Sequence, residues 1–302
     1  MSEIDPRVDI AFKKLFGTEE NKDLLISLIN SIVSKEDRVE EITLLNPYNP
    51  KAFREDKLSI LDIKAVGVEG KRFNIEVQIS DEADYDKRAL YYWAKLYSEQ
   101  LKSTEGYSQL AKAIGIHILN FTSIPQIKNY HNTFHITEKE SGEPYFKDLE
   151  LHTIELKKFI ESHADLSTYI SKIKSTLDMW VAFLTRHDLL KGKRLPKKLG
   201  AEEVKKALEV LEIMNFSQDE REAYDNHLKW LMIEANTLKK YEEKGKAIGM
   251  QEGKALGIEE GKSLGIESVA IAMIEQQLPD ALILSVTGIS KARLAALKSK
   301  RK

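Results

Sequence analysis

Two carboxylates and an amide recur at alternate positions of two neighbouring apolar stretches: Asp62 in LSILDIKA, then Glu76 and Gln78 in FNIEVQIS. A buried carboxylate without a partner is costly, so it takes up a proton or acquires a counter-charge. One divalent cation shared by Asp62 and Glu76 would serve both. Mg²⁺ prefers oxygen ligands, usually one or two carboxylates completed by water and substrate phosphate. Such an ion stabilises developing phosphoryl charge and lowers the pKa of a bound water, while the Gln78 amide could orient water or phosphate. That chemistry is phosphodiester hydrolysis. The same acids could instead form structural ion pairs with Lys57, Lys64 or Arg72, and the loose D-x13-E-x-Q spacing alone leaves the two readings level.

The elements that must hold these residues follow from periodicity. Strands are expected over Leu58–Val68 and Arg72–Ile79, joined as a hairpin by Glu69-Gly70. Alternation puts Ile60, Asp62 and Lys64 on one face of the first strand, and Asn74, Glu76 and Gln78 on one face of the second. Phe73, Ile75, Val77 and Ile79 line the other side. A helix is expected over Glu19–Val33 with Thr18 as its N-cap, a strand over Glu41–Leu45, and an aromatic helix over Tyr85–Lys102. Tyr92 is the member of that helix expected to turn toward the acids. Packing of the aromatic side chains on a sheet is the plainer role for the helix. Further strands are expected over Lys112–Phe121, Thr133–Thr137 and Leu149–Leu156. The fold class is therefore α/β, a mixed sheet flanked by helices, followed by an all-α C-terminal region.

Composition narrows the classes. A chain of 302 residues suits a main domain with smaller attachments, and its 42% hydrophobic and 31% charged content is that of a globular protein. No apolar run approaches the roughly 20 residues that span a bilayer, so no membrane partner is expected. The start, MSEIDPRVDI, does not resemble a signal peptide, and a cytoplasmic location is expected, at the nucleoid when acting. With no cysteine, disulfides, thiolate metal sites and a cysteine nucleophile are excluded. A net charge of −2 means that any nucleic-acid contact must use locally concentrated positive charge.

Helices are expected over Leu166–Leu184, Ala201–Met214 and Asp219–Lys244, with the lysine-rich KGKRLPKK as a solvated loop or a phosphate grip. Residues 243–266 form an octad repeat with glycine at positions 245, 249, 253, 257, 261 and 265. Interior glycine costs a helix up to about 1 kcal/mol, a cost tolerable where small residues let a second helix approach. Apolar Ile248, Leu256 and Leu264 keep step with the glycines, so the segment reads as a helical self-association element and the protein as a homo-oligomer. Beyond it, helices over Val269–Leu278, Asp280–Val286 and Lys291–Leu297 suggest a helix-turn-helix or a packing cap, with Lys291 and Arg293 as DNA-contacting candidates. The pair His131 and His135 lacks a third ligand for zinc. The expected division is 1–160, 161–242, 243–266 and 267–302.

The stretch DPRVDIAFKKLFG, with LSILDIKA, FNIEVQIS and RALYYWAKLYSEQL, resembles the PD-(D/E)XK nuclease superfamily, and more narrowly the Rpn family of recombination-promoting nucleases and transposases. The resemblance covers roughly residues 5–160, and the glycine repeat is also similar to that family. It implies a restriction-endonuclease-like fold and a Mg²⁺-dependent DNA endonuclease linked to recombination or mobile-element transfer. It also implies Asp62 and Glu76 as metal-binding acids, with Asp9 as an N-terminal acid that binds or orients the metal. Gln78 stands where the family usually has lysine, and Leu61 where proline often precedes the first acid. Glutamine cannot supply the lysine's charge, so Lys13, Lys14 or Lys64 is expected to do so. The competing expectations are a weak or inactive nuclease-fold assembly protein and a phage-defence or growth-restricting nuclease.

Overall fold

The computed structural model describes residues 4–48, 62–82, 84–102, 104–159, 171–190 and 201–299. Six strands, β1 (Ile42–Leu44), β2 (Ile63–Gly67), β3 (Arg72–Gln78), β4 (Ala113–Leu119), β5 (His131–Thr137) and β6 (Pro144–Glu155), form one sheet in the order β1-β2-β3-β4-β6-β5. The pairs β3/β4 and β4/β6 are parallel and the others antiparallel. A parallel step needs a crossover, and α3 (Tyr85–Ser98) supplies it between β3 and β4.

The two faces differ as the alternation requires. Ile63, Ala65, Phe73, Ile75, Val77, Ile114, Ile116 and Ile118 join one large core. Helices α1 (Asp9–Phe16), α2 (Lys22–Ile32), α5 (Thr176–Leu190) and α6 (Ala201–Ile213) contribute to it, and a short α4 (Leu156–Phe159) follows β6. The opposite face carries Asn74, Glu76, Gln78, His117 and Thr153. Helix α3 closes it through Tyr85 and Ala89, which cluster with Leu119 and Phe121. The Trp93 indole N–H also donates to the Ala113 carbonyl at 2.8 Å.

Several local expectations are corrected. Asp62 stands at a bend immediately before β2 rather than within a strand, and Leu58–Leu61 lie outside the described residues. The hairpin turn has three residues, not two: Gly67 N–H donates to Lys71 O at 2.9 Å, and Gly70 takes φ +80°, which favours glycine. The first long helix starts as a 3-10 turn over Glu19–Asn21, and Thr18 caps nothing with its side chain. Helix α5 begins later than expected and is kinked at Arg186. Residues 166–170 and the KGKRLPKK stretch lie outside the described residues.

Helix α7 runs unbroken over Gln218–Glu275, taking in the whole glycine repeat and most of the expected helix at 269–278. Contacts divide the chain into Met1–Leu231 and Met232–Lys302. The first core therefore runs across position 160 and includes Tyr224 of α7. In the second unit, α8 (Asp280–Thr287) and α9 (Lys291–Ser299) pack Ile283, Leu294 and Leu297 with Ala270 of α7. Gly288, at φ +69°, ends α8, and Ser290 caps α9 through its Oγ to Arg293 N. Arg293 is held by Glu267 at 2.6 Å, so part of the tail's positive charge is compensated internally. Among the described residues, no helix is long and apolar enough to cross a membrane.

Candidate active site

Ile63 pairs with Ile75 across β2 and β3, so Asp62 and Glu76 continue the two strands from the same rung. Glu76 is 7% exposed, and its Oε2 is buried without a hydrogen-bond partner. Asp9 opens α1 and is 8% exposed. This helix starts beside the carboxyl ends of β3 and β4, where Arg7 donates to Asn120 Oδ1 at 3.0 Å. Residues far apart in sequence thus meet at one end of the central strands.

The acids disturb one another. Burial, then repulsion from Glu76, pushes the Asp9 carboxyl up to about 7. Burial also raises Glu76 to about 7; Arg88 opposes this shift, while Asp62 and Glu82 add to it. Asp62 is raised by burial against the pull of Lys64 and Lys13. Lys13 is lowered in turn, chiefly by burial.

The cation beside Glu76 and Gln78 is Arg88 of α3. Its guanidinium donates to Gln78 Oε1 at 2.6 Å, to Glu82 Oε2 at 2.6 Å and to Glu76 Oε1 at 3.3 Å. The Gln78 amide NH₂ donates to Ser80 O at 3.1 Å and Glu82 Oε1 at 3.0 Å. Both ends of Gln78 are therefore engaged in positioning Arg88. Lys13 and Lys64 stand near Asp62, whereas Lys14 is drawn away to Glu220 at 2.9 Å and Asn215 O at 2.6 Å. Tyr92 lies between Arg88 and Lys95 on the helix face that the acids sense, with its ring edge-on to Tyr91.

Four participants were not singled out from the sequence. Arg88 was hidden in the aromatic helix, although a missing lysine calls for a cation nearby. His117 was visible as the one titratable residue inside an otherwise apolar strand, GIHIL; its Nδ1 is 3.8 Å from Glu76 Oε2. Glu82 sits in the connection to α3. His227 reaches Asp9 Oδ2 at 3.7 Å from α7, and no local pattern could have announced that meeting.

A hard divalent cation suits this donor set. The three acids offer oxygen ligands, burial pushes them toward neutrality against the pull of Arg88, Lys13 and Lys64, and Glu76 Oε2 lacks a partner. Among the described residues, no group of three or more His, Cys, Asp or Glu side chains is placed so as to hold a metal ion.

His131 and His135 do not form a zinc pair: His131 meets His152 at 3.0 Å, and His135 approaches Glu150 at 3.6 Å.

A six-stranded mixed sheet flanked by helices is the arrangement of the PD-(D/E)XK fold. The sequence model of the family described as PD-(D/E)XK nuclease family transposase matches residues 6–241, and the chain belongs to that family. No curated protein and no solved structure gives a match. Nucleases of this class generally use divalent metal ions.

Proposed function

We propose that the protein is a Mg²⁺-dependent DNA endonuclease serving recombination or mobile-element transfer. The observation that carries this reading is that Asp9 and Asp62 each interact with Glu76, as Glu76 repels Asp9 and Asp62 repels Glu76, while Glu76 itself is buried with one oxygen unpartnered. Asp62 and Glu76 hold the ion, and Asp9 holds or orients it from α1. The ion supplies charge for the phosphoryl group and acidifies a water. Arg88, held by Gln78 and Glu82, takes the charge-stabilising role that lysine has elsewhere in the family. Lys13 and Lys64 attract the phosphate to the Asp62 side, with Tyr92 as a further contact.

The glycine ladder of α7 supports a homo-oligomer, in which two sites address two DNA strands. A Cβ built at any of its six glycines meets nothing within 4 Å, and Met250, Leu256 and Leu264 beside them are exposed. Lys291 remains the better DNA contact in the tail, because Arg293 is paired.

A second reading has one observation in its favour. Arg88 already contacts Glu76 and Gln78, which suits a weak or inactive assembly protein. Plasmid DNA incubated with the protein and Mg²⁺ separates the two. Cleavage that EDTA and Asp62→Ala abolish supports the enzyme; no metal-dependent cleavage, or equal cleavage by the variant, sinks it.

A further inference from the structure

Helix α3 carries five aromatic side chains, and the structure sorts them by what they touch. Tyr85 is buried edge-on to Phe121. The Trp93 indole is tied to the Ala113 carbonyl, and Tyr97 stacks on Trp93 and donates to Asp148 Oδ2 at 3.1 Å. Packing on the sheet accounts for these three rings. Tyr91 differs: it is 62% exposed, and its ring leans on that of the half-buried Tyr92 at 5.5 Å.

Its place on the helix puts it among cations beside the acids. Tyr91 stands three residues after Arg88 and four before Lys95, the spacings that make side chains neighbours on a helix surface. Arg88 reaches Glu76 at 3.3 Å. The charge of Lys95 reaches Asp62, as do those of Lys13 from α1 and Lys64 from β2. The stripe from Arg88 to Lys95 therefore runs past both acids over about 10 Å of helix. Lys95 is 46% exposed and its contact to Glu99 is a long 3.6 Å in water, so its charge remains available to a ligand.

An exposed ring between two cations selects its occupant. A nucleic-acid strand answers the cations with its phosphates and the ring with the face of a base. Bases inside a duplex are stacked on one another and offer only their edges in the grooves. The base that meets Tyr91 is therefore an unpaired one.

We propose that Tyr91, braced by Tyr92, and Lys95 form a ledge that holds one unpaired nucleotide of the DNA substrate beside the cut, with its base on the Tyr91 ring and its phosphate at Lys95. The assignment rests on the nuclease reading of the adjacent acids. It makes DNA with single-stranded character at the cut, such as a frayed end or a gap, the preferred class of substrate.

The test titrates the full-length protein in EDTA into a fluorescent DNA single strand of about 12 nucleotides and into the duplex of the same sequence, read by anisotropy. Tyr91→Ala is expected to weaken single-strand binding about tenfold and duplex binding less than about twofold. Tyr91→Phe keeps the ring face and is expected to bind the single strand like wild type. Lys95→Gln is expected to lower the slope of log Kd against log salt for the single strand by about 0.7, the share of one phosphate. Melting temperatures establish that each variant is folded. The assignment is overturned if wild type does not bind the single strand up to about 100 μM, or if Tyr91→Ala weakens both DNAs alike or neither. It is equally overturned if Tyr91→Phe loses as much as Tyr91→Ala, or if Lys95→Gln leaves the salt slope unchanged. Plasmid cleavage by the same preparation reports separately. Cleavage with binding indifferent to Tyr91 removes the ledge alone, and Tyr91-dependent single-strand binding without cleavage removes the nuclease reading.

Discussion

Glu76 and Glu150 are buried on opposite faces of the same sheet, and their surroundings drive them in opposite directions. Glu150 is also opposed by burial, but His152 at 2.7 Å and Lys112 at 2.8 Å hold its carboxyl down at about 2. Lys112 in turn reaches Asp37 at 2.6 Å, so this cluster is compensated by the chain itself. Glu76 has a long contact to Arg88, a neutral His117 at 3.8 Å and two other acids near it. The weaker compensation of Glu76, whose contact to Arg88 is 3.3 Å, is what the proposed metal site turns on, whereas Glu150 belongs to an ion-pair cluster that braces the sheet.

Substitutions should break this comparison unequally. Asp62→Ala or Glu76→Gln is expected to reduce metal-dependent plasmid cleavage by about 10³-fold or more, with the metal-free fold intact by circular dichroism. Glu150→Gln is expected to do the converse. It leaves Lys112 with less compensation and lowers stability by about 3 kcal/mol in urea unfolding, with little loss of cleavage per folded molecule. Comparable cleavage losses in Glu76→Gln and Glu150→Gln would erase the distinction.

Acidity sharpens it. Glu76 and Asp9 rise from ordinary values of 4.5 and 3.8 to about 7 in the folded chain, which therefore keeps protons that the unfolded chain releases. Their burial destabilises the metal-free protein above about pH 7, and the effect fades as pH falls toward 4. Glu150, depressed to about 2, contributes stability that is present above its ordinary 4.5 and lost only at lower pH. Metal-free melting temperature is thus expected to rise by several degrees from pH 8 to pH 5, and less so in Glu76→Gln. A flat or falling profile for wild type contradicts the burial of these two acids at a cost.

Smaller effects follow from the cations and the glycines. Arg88→Ala is expected to slow cleavage about 10- to 100-fold, and Lys14→Ala to leave the rate of the folded enzyme unchanged, because Lys14 points to Glu220. Gly253→Ala meets nothing in the chain and should favour its helix by up to about 1 kcal/mol. If α7 pairs with another copy through the ladder, the same change weakens association in light scattering.

Much of the fold was legible because alternation and amphipathicity are local. Phe73, Ile75 and Val77 announced the core face of β3, and Glu76 and Gln78 announced the other. The end of α3 and the start of β2 were harder, since strand and helix ends depend on tertiary contacts such as Asn46 Nδ2 to Asp62 O. The glycine repeat was expected as a helical segment of its own, whereas one unbroken helix runs through it over Gln218–Glu275, in keeping with the lack of a strong stop signal at either end of the repeat. Of the residues in the proposed site, Asp62 and Glu76 were singled out from type and spacing, and Asp9 from resemblance. Arg88 and His227 were not, because their contacts are made by packing α3 and α7 against residues remote in sequence.

Binding of Mn²⁺, followed by electron paramagnetic resonance, tests the contrast between the two glutamates without relying on cleavage. Wild type and Glu150→Gln are expected to bind the ion with the same affinity, and Glu76→Gln at least about tenfold more weakly. Equal affinity in all three proteins, or a loss confined to Glu150→Gln, would contradict the assignment of Glu76 to the metal site.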